Sequence, residues 1–159
     1  MKGFALLTLK YLNNLSLPLN WGGKMEECIF CKIIKGEIPC SKIYEDEKAM
    51  AFLDIAPINK GHALVIPKEH HETFEELPDE LSKYLIEIVK KISIAVKKAT
   101  NADGYNIGMN VGKAAGQLVF HAHWHIMPRF NDDGLKTWPQ KEYEEGEMDK
   151  FKEQIVKFL

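Results

Sequence analysis

The segment Phe120-His121-Ala122-His123-Trp124-His125-Ile126-Met127-Pro128-Arg129 carries histidine at three alternate positions. In a β-strand successive side chains point to opposite faces. His121, His123 and His125 then share one face, and Phe120, Ala122, Trp124 and Ile126 share the other. The apolar set suits a core, which leaves a row of imidazoles about 7 Å apart on the opposite side. A lone strand histidine is ordinarily a satisfied structural residue. Three in register resist joint protonation, so the row points to metal binding or phosphate chemistry. Imidazole is a competent nucleophile toward phosphorus, because a pKa of about 6.5 leaves its neutral form dominant at pH 7. Covalent capture divides one difficult displacement into two easier ones. A second histidine can hold the phosphate oxygens. The backbone amides of the loop Gly112 to Gly116 are candidate donors to the developing charge.

Cys28 and Cys31 enclose two residues, the spacing of a zinc half-site or a redox pair. Thiolate and imidazole together suit tetrahedral zinc. The pair precedes no βαβ pattern, which argues against a thioredoxin-like role; two half-buried thiols are the ordinary alternative. Cys40 stands alone after Pro39 and reads as a small residue. Three cysteines, an odd number, do not suggest a disulfide framework, and a cytoplasmic location is expected.

The elements that must position these groups are legible from periodicity. Residues 28–35 suit a short helix ended by Gly36. Lys42 to Glu45 and Ala49 to Leu53 are β-prone runs around an Asp46-Glu47-Lys48 turn. Ala63 to Ile66, stopped by Pro67, reads as a buried strand. From Pro78-Asp79-Glu80 to Thr100, Leu81, Tyr84, Leu85, Ile88, Ile92, Ala95, Val96 and Ala99 recur at helical spacing. Asn106 to Val111 and Val119 to Met127 complete the strands. The expected fold is an α+β domain, an antiparallel sheet of about five strands with one long helix and a short N-terminal helix. Beyond Arg129 the chain is polar, with Trp138-Pro139, an acidic patch at Glu142–Glu147 and an amphipathic helix expected from Met148 to Leu159.

The 159 residues suffice for one ordinary domain, with 45% hydrophobic and 28% charged residues as in a soluble globular protein. A net charge of −2 gives no basic field for nucleic acid or anionic membrane. No apolar run approaches bilayer length. Met1 to Lys24 reads as an extension whose apolar residues are interrupted by Lys10, Asn13 and Asn14, unlike a signal peptide. Trp21-Gly22-Gly23-Lys24 back-translates to a string compatible with a purine-rich ribosome-binding sequence, so translation is expected to begin at Met25. The alternative is a short helix packing Phe4, Leu6, Leu7 and Leu9. The expected organisation is an extension at 1–24, a domain at 25–131 and a tail at 132–159.

His121-Ala-His123-Trp-His125-Ile-Met matches at every position the signature His-φ-His-φ-His-φ-φ, with φ apolar, of the histidine-triad superfamily, which the chain resembles. Cys28-Ile-Phe-Cys-Lys-Ile-Ile34, Tyr44-Glu45-Asp46, Ala51-Phe-Leu-Asp-Ile55, Gly61-His62-Ala-Leu-Val-Ile-Pro67-Lys68 and Gly116-Gln117 also resemble its small branch of adenosine phosphoramidases and dinucleoside polyphosphate hydrolases. The resemblance runs from about Cys28 to Arg129.

It implies a histidine-triad fold and a hydrolase or transferase acting at the α-phosphate of a nucleoside phosphoramidate, mixed anhydride or dinucleoside polyphosphate. A nucleoside monophosphate, expected to be AMP, is released through a nucleotidyl-histidine. It makes His123 the nucleophile, His125 a phosphate contact and His62 a supporting histidine. Asp54 binds the ribose hydroxyls. Phe30, Ile33, Leu53 and Ile55 line the base slot. Asn110, Gly116 and Gln117 surround the phosphates and leaving group. No metal is required in the catalytic step. It further implies structural zinc on Cys28, Cys31, His70 and His121, with His71 the alternative to His70. A symmetric homodimer through the long helix and a sheet edge is implied as well. Leu118 stands where several phosphoramidases have a serine that assists the leaving group. Met127-Pro128-Arg129 looks closer to the polyphosphate branch.

Two other classes compete. One is a nucleotide-binding or protein-interaction module of the same fold with little turnover, against which an intact triad argues. The other is a small zinc protein contacting nucleic acid, against which the charge argues.

Overall fold

A computed structural model describes residues 28–136 and 138–159. The extension at 1–24 and the start at Met25 lie outside the described residues. The elements are α1 (Ile29–Ile34), β1 (Lys42–Glu45), β2 (Ala49–Leu53), β3 (Ala63–Pro67), α2 (Asp79–Thr100), β4 (Gly104–Gly108), β5 (Trp124–Arg129) and α3 (Glu147–Val156). The five strands form one antiparallel sheet in the order β1-β2-β3-β5-β4. This is the expected α+β architecture.

Alternation along the strands builds two cores, one on each face of the sheet. Ala49 and Ala51 of β2, Ala63 and Val65 of β3, and Ala122, Trp124 and Ile126 pack against Leu85, Ile88, Val89, Ile92 and Val96 of α2. The small alanines let the helix approach the sheet closely. On the other face Met50, Phe52, Leu64 and Ile66 meet Cys28, Phe30 and Cys31. Of the expected face the helix buries Leu85, Ile88, Ile92 and Val96, with Val89 and Ser93 in addition, while Leu81 and Tyr84 are half-buried and Ala95 and Ala99 are exposed. Ser93 is satisfied there because its hydroxyl donates to the Val89 carbonyl at 2.7 Å. Asn101, in the left-handed region at φ 53°, ends the helix.

The last two strands differ from expectation for one reason. The ladder between β3 and β5 ends at the pair Val65↔Trp124. Ahead of it the Ala122 amide donates to the His71 carbonyl at 2.7 Å, and the His121 amide donates to Val119 at 3.0 Å. β5 therefore starts at Trp124, not Val119. β4 pairs with β5 only from Gly104↔Arg129 to Gly108↔His125, so its pairing stops at Gly108 and not at Val111. His121 and His123 thus lie in the approach to the strand, although their side chains keep the expected alternation. Phe120 does not join the helix-side core; it is half-buried beneath Lys113.

Arg129 closes the domain edge. Its Nε donates to Asp133 Oδ2 at 2.6 Å, Nη2 to Oδ1 at 3.0 Å and Nη1 to Asn106 at 2.6 Å. Nη2 also donates to the Leu135 carbonyl at 2.8 Å, so the bonded edge reaches slightly past residue 131. The expected tail helix forms as α3, and among the described residues none of its side chains is buried. No described helix is long and apolar enough to cross a membrane.

Candidate active site and metal centre

The three histidines of the triad serve three different neighbourhoods. His121, fully buried, donates from Nε2 to the Pro67 carbonyl at 2.9 Å, which leaves Nδ1 as a lone pair. That Nδ1 lies 3.5 Å from Cys28 Sγ, 3.6 Å from Cys31 Sγ and 3.3 Å from His70 Nδ1. Cys31 Sγ lies 3.3 Å from His70 Nδ1. All four ligand atoms fall within 4.8 Å of one another. Tetrahedral zinc with Zn–S of about 2.3 Å and Zn–N of about 2.05 Å requires N···S of about 3.6 Å and N···N of about 3.3 Å. The residues present fit that ion. Burial and the adjacent Cys28 push the Cys31 thiol up to about 12 in the ion's absence, a cost that metal coordination removes.

Of the neighbouring pair, His70 is the one that places a ring nitrogen in the cluster. His71 Nε2 is buried without a hydrogen-bond partner, 3.6 Å from Glu69 Oε2. One consequence is that the chain between Pro67 and Ala122 is pinned twice, by the His121 ring and by the His71 carbonyl.

His123 is 5% exposed. Its Nδ1 lies 2.6 Å from the His121 carbonyl, to which it must donate, so its own lone pair sits on Nε2. Burial lowers its pKa, opposed by that backbone bond and by Asp54. The ring is therefore neutral at neutral pH. Phe30 meets it edge-on at 5.2 Å and also contacts Phe52 at 5.5 Å.

His125 lies beside it, ring centroids 4.9 Å apart. Its Nδ1 is 3.0 Å from His62 Nε2, and its Nε2 is buried without a hydrogen-bond partner. Burial, with His123 and His62 nearby, brings His125 down to about 4. His62, also lowered by burial, has Asp54 Oδ2 at 3.5 Å and the Ile58 amide at 3.4 Å from its Nδ1. Asp54, His62 and His125 also hold ligand atoms within 4.8 Å. The 3.0 Å between the two ring nitrogens suits a shared proton better than a shared ion, which would hold them near 3.3 Å in tetrahedral geometry.

The remaining expected residues divide. Leu53 ends β2 and Ile55 follows Asp54, both exposed, while Phe30 is buried and Ile33 half-buried in the second core. Asn110 Nδ2 donates to the Gly116 carbonyl at 3.3 Å. Gln117, 3% exposed, spends its side chain inside the loop: Oε1 accepts from Gly112 at 2.8 Å, and Nε2 donates to Glu72 at 2.6 Å and Val119 at 3.1 Å. Gly112, Ala115 and Gly116 amides are likewise engaged within the loop. Those amides are not free donors, because the loop needs them for its own turn. Leu118 is 74% exposed. The Ile58 amide escaped the sequence reading, since a backbone donor leaves no trace in residue type.

An antiparallel five-stranded sheet bearing this triad beside a Cys2His2 cluster defines a histidine-triad protein, and the chain belongs to the HIT domain family, whose profile matches residues 35–132. It is 50% identical over 114 residues to the adenosine 5'-monophosphoramidase of Schizosaccharomyces pombe, covering 70% of this chain and 83% of that protein. It is 43% identical over 130 residues to an adenylylsulfatase of Arabidopsis thaliana, covering 82% of this chain and 66% of that one. Among solved structures, a HIT family protein from Bacillus subtilis superposes with a TM-score of 0.77 at 44% identity, covering 83% of this chain and 96% of that chain. A zinc-bound histidine triad protein from Mycobacterium smegmatis gives 0.67 at 37% identity, covering 86% and 100%.

Proposed function

We propose that the protein is a nucleotide hydrolase or transferase acting at the α-phosphorus of a purine nucleotide, with His123 Nε2 as the nucleophile. The observation that carries this reading is the 2.6 Å bond from His123 Nδ1 to the His121 carbonyl, which leaves a neutral imidazole with its lone pair on the outer nitrogen. The nitrogen forms a bond to phosphorus as the bond to the leaving group breaks. The electron pair departs with the leaving group; an amine takes a proton from water as it leaves, and sulfate needs none. Water then attacks the nucleotidyl-histidine and releases the nucleoside monophosphate and a neutral ring. His125 faces the phosphate oxygens, Asp54 the ribose and Phe30 with Leu53 and Ile55 the base.

The relatives named as a phosphoramidase and an adenylylsulfatase support an adenylyl substrate whose leaving group is an amine or sulfate. Exposed Leu118, in the place of a hydroxyl that would assist departure, favours a leaving group that needs little such help. Gln117 and Asn110 hold the loop around it. Cys28, Cys31, His70 and His121 would hold zinc, which supplies a cross-link between α1 and the triad and enters no bond-making step. A homodimer through the open edge of β4, flanked by exposed Tyr105, Ile107, Ile86 and Ile94, fits the faces left uncovered.

The test is release of AMP from adenosine phosphoramidate, adenosine phosphosulfate and diadenosine tetraphosphate by wild type and His123→Asn. Turnover that disappears in the folded variant supports the reading. Two equally inert proteins that still bind AMP make it a binding module instead.

A further inference from the structure

His62 stands at a fork. Its Nδ1 accepts from a fixed donor, the Ile58 amide at 3.4 Å, and Asp54 Oδ2 stands 3.5 Å away as a competing acceptor. A neutral imidazole holds one proton, so Nδ1 satisfies only one of them. Its Nε2 meets His125 Nδ1 at 3.0 Å across one shared proton. The choice made at Nδ1 therefore propagates through both rings. With Nδ1–H toward Asp54, His62 Nε2 accepts, His125 Nδ1 donates, and His125 Nε2 is bare. With Nδ1 accepting from Ile58, His62 Nε2 donates, His125 Nδ1 accepts, and His125 Nε2 carries a proton. That nitrogen is buried and without a hydrogen-bond partner among the described residues. Only the second arrangement offers a donor to a phosphate oxygen.

Asp54 competes for the first arrangement. Its Oδ1 accepts from the Ala56 amide at 2.9 Å, so Oδ2 is the oxygen available to a second donor. We propose that Asp54 couples sugar recognition to phosphate recognition: ribose hydroxyls engaging Oδ2 release His62 Nδ1 to the Ile58 amide and turn His125 Nε2 into an N–H donor. This deepens the proposed function and rests on it. The shared proton moves from His125 Nδ1 to His62 Nε2. One proton leaves His62 Nδ1 and one joins His125 Nε2, both exchanged with water, so each ring stays neutral. His62 is a positioning residue, acting through His125. Ribonucleotide preference is then expressed in kcat, because a sugar without hydroxyls fills the site and leaves the switch unset.

Nitrogen NMR of the full chain reads the His125 tautomer free, with AMP and with 2′,3′-dideoxy-AMP. Nε2 is expected bare in the first and third samples and protonated with AMP. Adenosine phosphoramidate should exceed its dideoxy analogue in kcat by about tenfold or more, the worth of a hydrogen bond to a charged group. In His62→Gln that kcat ratio should fall toward one while the difference in KM persists. If AMP binds and the phosphoramidate turns over with one His125 tautomer in all three samples, the switch is overturned and the function stands. If AMP neither binds nor is released from any substrate, both fall.

Discussion

The His121 carbonyl accepts a hydrogen bond from His123 Nδ1 at 2.6 Å, while the His121 ring points into the Cys28–Cys31–His70 cluster. One residue thus borders two centres, its main chain on one and its side chain on the other. The bond predicts how His123 can be replaced without disturbing the fold. Asparagine places an amide N–H near the position of Nδ1 and keeps the bond to His121, but it has no nucleophilic nitrogen. His123→Asn should retain the wild-type urea midpoint and lose kcat by about 10⁴-fold or more. Retention of more than a tenth of the activity would remove His123 from the nucleophile's role.

The metal cluster makes a separate prediction about stability. Its candidate ligands come from Cys28, α1, the chain after β3 and the chain before β5, segments otherwise held together by the second core and a few hydrogen bonds. Closing them with one ion contributes to folding directly, so a strong chelator should lower the melting temperature by about 10 °C or more. Metal analysis should find one zinc per chain. His70→Ala should lose it and His71→Ala keep it. The reverse pattern in the two histidine variants would overturn the ligand set.

The two-residue period made most of this legible. Alternation in the triad segment sorts its side chains between two faces before any coordinate is known, and in the structure Ala49–Leu53 and Ala63–Pro67 divide between the two cores by the same rule. Helical spacing in Asp79–Thr100 does the same, except that buried Ser93 hides among polar residues because its hydroxyl finds the Val89 carbonyl. Strand ends were not legible. They depend on contacts outside the segment: β3 runs on to Pro67, yet its ladder with β5 ends at Val65↔Trp124, because ahead of Trp124 the Ala122 amide bonds the His71 carbonyl instead. The same holds for Gln117: the family resemblance implies a place by the phosphates, and only the fold shows Gly112, Glu72 and Val119 occupying its donors and acceptor. His70 and His71 are equivalent in sequence, and the bond from Ala122 to the His71 carbonyl separates them by fixing which ring turns toward the cysteines.

Gly61, immediately before His62, is required for two reasons that a double mutant can separate. Its φ is +97°, and an added Cβ would come within 2.5 Å of Thr100 Cγ2 at the end of α2. Gly61→Ala should therefore destabilise by about 2–4 kcal/mol, strain and overlap together. Thr100→Ser removes the offending methyl while keeping the hydroxyl bond to the Val96 carbonyl. Gly61→Ala with Thr100→Ser should recover the overlap part and leave the backbone part. Additive losses in urea midpoints would show that Thr100 is not what Gly61 avoids.

Stability should fall as pH drops from 7.5 to 5, and His125 should carry a measurable share. Burial, with His123 and His62 nearby, lowers its folded pKa to about 4, below the ordinary value near 6.5 of the unfolded chain. Between these values the unfolded state binds the proton and the folded state does not, so protonation favours unfolding as pH falls. The single group accounts for a loss on the order of 1–2 kcal/mol by pH 5. Asp46 behaves oppositely in range. Although burial raises its pKa, donation from the Tyr44 and Tyr84 hydroxyls and the Ala49 and Lys48 amides holds it well below the usual carboxylate range. Its contribution is present throughout this window and is lost only in stronger acid. His125→Asn should flatten the drop between pH 7.5 and 5, and Asp46→Asn should leave its slope unchanged while lowering stability at both ends. Parallel curves for wild type and His125→Asn would mean that the ring takes up its proton at the same pH folded and unfolded, which the buried Nε2 without a partner makes costly.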